Sequence, residues 1–103
     1  MKLSTHDKQI FGHMIDKTKN CLAKQGNVEH KEMLKCETAM FSENNDYTYH
    51  THPVGVPYPS EADIRTTARF KKKYLIIGLV PTRTVVVWGV YPKYDKLLGK
   101  FRV

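Results

Sequence analysis

The sequence lacks a long apolar run, a signal-peptide pattern and any paired-cysteine motif. Nothing in it approaches the about 20 consecutive apolar residues that a membrane-crossing helix needs, and the first residues, Met1 to Lys8, are polar. A helix that crosses a membrane is not expected, and a soluble cytoplasmic chain is. There are only 2 cysteines, Cys21 and Cys36, and no CxxC pair, which argues against a structural zinc site of the finger type. In a cytoplasmic protein the two are expected as buried free thiols, Cys21 on a helix and Cys36 in a strand. Acidic residues are scarce, 10 against 17 Lys and Arg, giving a net charge of +7. The charge suits a nucleic acid, an acidic protein partner or solubility alone, and no helix-turn-helix or zinc-finger spacing selects the first of these. No internal repeat or low-complexity segment is present.

At 103 residues and 41% hydrophobic, the chain is expected to form one domain, 1–103, with a small core. Ser4 or Thr5 can cap a first helix over about residues 6–24, with Ile10, Phe11, Met14, Ile15 and Leu22 near one face and Gly26-Asn27 as its stop. His6 and His13 share this helix, without the carboxylate or cysteine that would complete a metal site. Residues 35–41 and 47–50 alternate like strands around the turn signal Ser42-Glu43-Asn44-Asn45-Asp46 and read as a hairpin. A second helix follows to about Lys71, with Arg65, Arg69 and Lys71-Lys72-Lys73 as a basic stripe. Residues 74–80 and 84–91 are apolar runs of strand length joined by a tight turn, with Trp88 packing on the sheet, and residues 97–103 read as a closing strand. The order helix, hairpin, helix, hairpin, strand implies an α/β (α+β) protein with helices packed on a mixed sheet.

The chemistry is concentrated at His50-Thr51-His52-Pro53 and Ser60-Glu61-Ala62-Asp63. In an extended strand, side chains at i and i+2 leave one face, so the two imidazoles can converge on one ion. Ser60 fits an N-cap with Asp63 at N3, as in a capping box with Asp in place of Glu. Two prolines and a glycine set a turning connection between strand and helix. Two His and one carboxylate leave a tetrahedral zinc with one open position, the pattern of a catalytic rather than a structural site.

HxHP followed by SxxD at this spacing resembles the JAMM (MPN-plus) metalloprotease motif, a match that extends weakly to about Val90. The resemblance implies an α/β/α arrangement around a curved mixed sheet in a minimal version of the fold. It implies Zn2+ held by His50, His52 and Asp63, a glutamate that activates water, and Ser60 holding the tetrahedral intermediate. Four glutamates precede His50: Glu29, Glu32, Glu37 and Glu43. With the turn centred near Asn44, cross-strand partners sum to about 88, which sets Glu37 opposite Thr51, and a shift of one residue puts it on the histidine face. Glu43 lies in the turn. Order along the chain favours Glu29, just after the first helix, and Glu32 is further down the chain from the pair. Geometry favours Glu37.

The implied activity is hydrolysis of isopeptide bonds joining a ubiquitin-like protein to lysine, with a partner protein or a second copy of the chain supplying specificity. The alternatives are a basic nucleic-acid-binding module and a non-catalytic scaffold of the MPN type.

Overall fold

The structure, a computed structural model, describes residues 2–26, 29–41 and 43–103. Among these residues eight elements follow in order: α1 (Thr5–Gln25), α2 (His30–Leu34), β1 (Ala39–Phe41), β2 (Tyr47–His52), α3 (Glu61–Arg69), β3 (Tyr74–Leu79), β4 (Thr84–Gly89) and β5 (Lys96–Arg102). The strands form one five-stranded sheet in sequence order. β2 and β3 are parallel, joined by a crossover through α3, and the other neighbours are antiparallel. The expected mixed α/β architecture is what the chain adopts, with α1 and α3 on opposite faces of the sheet.

The first helix begins where its polar residues dictate. Ser4 Oγ accepts from the Asp7 amide at 3.0 Å, and Asp7 accepts from the Ser4 amide at 3.1 Å. This capping box satisfies two of the donors that every helix start leaves open. Phe11, Ile15 and Thr18 then recur at helical spacing and are completely buried. Phe11 and Ile15 meet Tyr47, Tyr49, Ile76, Val80, Val85 and Val87 in one core layer. Tyr49 stacks on Phe11 with ring centres 4.2 Å apart and donates its hydroxyl to the Phe11 carbonyl at 2.9 Å. Alternate residues of the same strands, Leu75, Ile77, Leu79 and Val86, form a second layer with Tyr94, on which Ile64 and Ala68 of α3 pack. A period of two splits β3 and β4 between these layers, and this is why both read as continuous apolar runs.

The N-terminal half departs from expectation. Residues 35–38 are not strand: the short helix α2 precedes them, and β1 is only Ala39–Phe41. Ala39 pairs with His50 and Phe41 with Thr48, one residue from the centred register, which brings Glu37 level with His52 rather than Thr51. The hydrogen bond from the Thr51 amide to the Thr38 carbonyl, 2.9 Å, continues that register past the strand. The free-thiol expectation is also corrected. Cys21 of α1 and Cys36, in the turn after α2, form a disulfide with Cα atoms 5.6 Å apart, within the span such a bond bridges. Gly26 ends α1 at φ 69°, a left-handed value open to glycine. Asn27 of the expected stop, Val28, and Ser42 of the expected turn lie outside the described residues. Among the described residues no helix is long and apolar enough to cross a membrane.

Candidate metal centre

His50 and His52 leave β2 on the face that α3 covers. Thr51 between them faces α1, with its Oγ1 2.8 Å from Thr18 Oγ1, as the period of two requires. Asp63 arrives from the first turn of α3, and the helix start that aims it is the capping box expected from the sequence. Ser60 Oγ accepts from the Asp63 amide at 3.1 Å, and Asp63 Oδ2 accepts from the Ser60 amide at 2.9 Å. The rotamer of the Asp63 carboxylate is thus set by its own helix cap.

The three side chains converge. His50 Nε2 lies 2.8 Å from His52 Nε2 and 3.0 Å from Asp63 Oδ2, and His52 Nε2 lies 3.3 Å from the same oxygen. Ligand atoms about 2.0–2.1 Å from a tetrahedral zinc stand about 3.3 Å from one another, so the triangle is close to what one ion would occupy. Side-chain exposure is 11% for His50, 12% for His52 and 21% for Asp63. Among the described residues this is the one group of three or more His, Cys, Asp or Glu able to hold an ion. His6 and His13 of α1 are not part of such a group.

The second nitrogen of His52 is also committed. Nδ1 donates to the Val56 carbonyl at 2.6 Å, so in the neutral ring Nε2 carries the lone pair, aimed toward the centre. An outer hydrogen bond of this kind fixes a ligand's tautomer and ring plane. The carbonyl is delivered by a tight turn: the Gly55 amide bonds the His52 carbonyl at 3.3 Å, and Gly55 has φ 76°. A side chain there would press on Pro81 Cγ at 3.3 Å. Further along the loop, Trp88 donates its indole N–H to the Pro57 carbonyl at 2.9 Å. Trp88 packs on the sheet, as expected, and also straps the loop that carries Val56. Sequence reasoning missed both supports. A backbone carbonyl leaves no mark on sequence, and Gly55 between prolines was the one available signal.

The electrostatics follow from packing three titratable groups together. Burial alone would raise the Asp63 carboxyl, but hydrogen bonds from His50, His52 and the Ser60 amide outweigh it and hold it far below the carboxylate range. Burial disfavours a charged His52, and its bonds to Asp63 and Val56 more than compensate, so its pKa lies above the ordinary imidazole value. Glu37 moves upward because burial disfavours its charge, with His52 and His50 partly opposing.

Glu37 borders two depressions beside the triad, one shared with His52, Ser60, Met33 and Val56 and the other with His50, Asp63 and Thr67. The first has a volume of about 280 Å³ and walls that are mainly apolar. Of the rival glutamates, Glu29 takes the N-cap position of α2 and Glu32 pairs with Lys35 at 2.8 Å, while Glu43 stays in the hairpin turn. None of the three borders either depression. In the basic stripe, Arg65, Arg69, Lys71 and Lys73 are exposed, and Lys72 Nζ donates to the Asn45 carbonyl at 2.7 Å. Comparison of the chain with protein-family models, curated proteins and solved structures returns no match.

Proposed function

We propose that the protein is a zinc-dependent hydrolase of amide or isopeptide bonds, with a ubiquitin-like modifier joined to lysine as its substrate class. The observation that carries this reading is the set of three ligand atoms within 3.3 Å of one another beside a depression bordered by a glutamate and a serine. His50, His52 and Asp63 would hold the ion. When bound there, zinc would supply Lewis acidity and would lower the pKa of a water to about 7.

The chain's own groups divide the remaining work. The Glu37 carboxylate takes the proton of the attacking water and passes it to the leaving amine, a role that contributes about 10²–10⁴ in rate. Ser60 Oγ accepts from the Asp63 amide and keeps its own proton to donate to the developing oxyanion, an effect of about 10²–10³. The outer edge of β1 pairs with no described strand, so an extended substrate tail can lie alongside it as an added strand.

The test is zinc content and cleavage of a fluorogenic Gly-Gly-lysine isopeptide, measured on the wild type and on Glu37→Gln. Retained zinc with cleavage lowered about 10²–10⁴-fold is the expected result. A wild type that binds no zinc, or a variant that cleaves at the full rate, would overturn the assignment.

A further inference from the structure

Glu37 sits in the turn between α2 and β1, and what holds that turn differs on its two sides. On the C-terminal side Thr38 is tied to β2. Its amide donates to Thr51 Oγ1 at 2.9 Å, and its carbonyl accepts from the Thr51 amide at 2.9 Å. Thr51 is the residue between the two histidines. On the N-terminal side the neighbours are weak. α2 is one short helix of 5 residues with no buried side chain and no side-chain cap, and a helix of that length is not stable alone. The exception is Cys36, immediately before Glu37, which is 3% exposed and bonded to Cys21 in the last turns of α1. Gln25 Nε2 adds a contact to Cys36 Sγ at 3.2 Å. The metal ligands depend on none of this, because they belong to β2 and the start of α3.

Resting on the hydrolase reading, we propose that the Cys21–Cys36 disulfide is a positioning pair for the general base, so that full hydrolytic activity requires the oxidised protein while metal binding does not. Cys21 borders an open depression that also exposes Lys17, Lys24 and Gln25, the side from which a thiol can approach. A dithiol reductant would deliver two electrons and two protons there. The S–S bond breaks to give two thiols, and the dithiol closes to its own disulfide. Glu37 then stays tied only through Thr38 and through its own amide, which donates to the Leu34 carbonyl of the short helix α2 at 3.2 Å. Misplacement of a reacting group by about 1 Å can cost about 10²-fold in rate, so the reduced enzyme should lose about 10–100-fold in kcat, with KM and zinc affinity unchanged.

Three measurements on the full chain test this, comparing the oxidised wild type with the Cys21→Ser/Cys36→Ser variant and, for exchange and cleavage, also with wild type reduced by a phosphine. Amide hydrogen exchange should rise over residues 34–38 and stay unchanged over residues 49–52. Zinc affinity, by competition with a chromophoric chelator, should be the same in the oxidised wild type and the serine variant. Cleavage of the Gly-Gly-lysine isopeptide should fall in the wild type, yet the residual rate of Glu37→Gln should not fall further on reduction. Unchanged exchange at residues 34–38 overturns the proposal, and so does a matching loss of zinc affinity in the serine variant, which would place the effect in the fold. If the oxidised protein cleaves nothing, the hydrolase reading fails, and the exchange and zinc arms still decide whether the disulfide holds Glu37.

Discussion

Zinc added to the metal-free protein should raise its unfolding temperature, and the rise should grow with pH. A ligand that binds only the folded state stabilises it by RT ln(1 + [L]/Kd), about 2.7 kcal/mol when free zinc is at 100 times Kd. For a domain of this size each kcal/mol moves Tm by about 4–8 °C, so the shift should be about 11–22 °C. Its pH dependence comes from His52, whose proton must leave before Nε2 can bind a metal. The neighbouring Asp63 carboxylate and the Val56 carbonyl hold that proton above the ordinary imidazole pKa despite burial. Below the raised pKa each pH unit should cost zinc about tenfold in affinity, about 1.4 kcal/mol.

Without metal the same residues act in the opposite sense. Asp63, with a lowered pKa, contributes stability above its unfolded value of about 3.9, and this is lost as pH falls. His52, with a raised pKa, contributes stability below its unfolded value of about 6.5, and this is lost as pH rises through the folded value. The site should therefore stabilise the metal-free protein most between about pH 4 and 6.5, and the zinc-bound protein most above that window. Thermal unfolding from about pH 5 to 8, with and without zinc, measures both curves. A zinc shift independent of pH, or one that survives intact in His52→Ala, would refute the reasoning.

Three other outcomes follow from single contacts. Gly55→Ala places a Cβ at φ 76° and against Pro81, so it should lower stability by about 1–2 kcal/mol and weaken zinc up to about tenfold by moving the Val56 carbonyl, read by chelator competition. Thr51→Val keeps the shape of a buried side chain but removes the acceptor of the Thr38 amide and the partner 2.8 Å from Thr18 Oγ1, and urea denaturation should show a loss of about 1–3 kcal/mol. Gly78→Ala would overlap the Tyr49 hydroxyl and bring its Cβ within 2.9 Å of Tyr49 Cζ, costing about 1–3 kcal/mol. Tyr49→Phe added to Gly78→Ala should recover part of that loss if the clash is with the hydroxyl, and none if the backbone moves instead.

Why some of this was legible in the sequence and some was not comes down to range and length. The first helix could be read because its cap and its buried stripe, Phe11 and Ile15 to Thr18, lie within a few residues of each other. β3 and β4 could be read because both of their faces are buried. α2 could not, since a helix that buries none of its residues has no amphipathic period to detect. The disulfide could not be read either: two cysteines without a motif carry no information about their spacing in three dimensions, and the expectation of a reducing compartment pointed the other way. The hairpin was found, but its register was offset by one residue, because a turn of several polar residues can be centred in more than one way.

The candidate site divides along the same line. His50, His52, Ser60 and Asp63 lie on a single strand–turn–helix crossover, so strand periodicity and helix capping are enough to bring their atoms together. Glu37 reaches the site only through pairing of β1 with β2, and a one-residue slip would turn its side chain to the other face. Its placement therefore needs supports that the ligands do not: Thr38 bonded to Thr51, and Cys36 bonded to Cys21. The ligands are supported instead by the Val56 carbonyl and the Ser60 cap. Two separate sets of contacts thus converge on one centre, one around the proposed ion ligands and the other around the proposed base. A substitution in the first set should change metal affinity with the base in place, and one in the second should change turnover with the metal in place. A variant at Thr51 is the exception, because its side chain holds Thr38 while its backbone lies between the two histidines, and it should disturb both together.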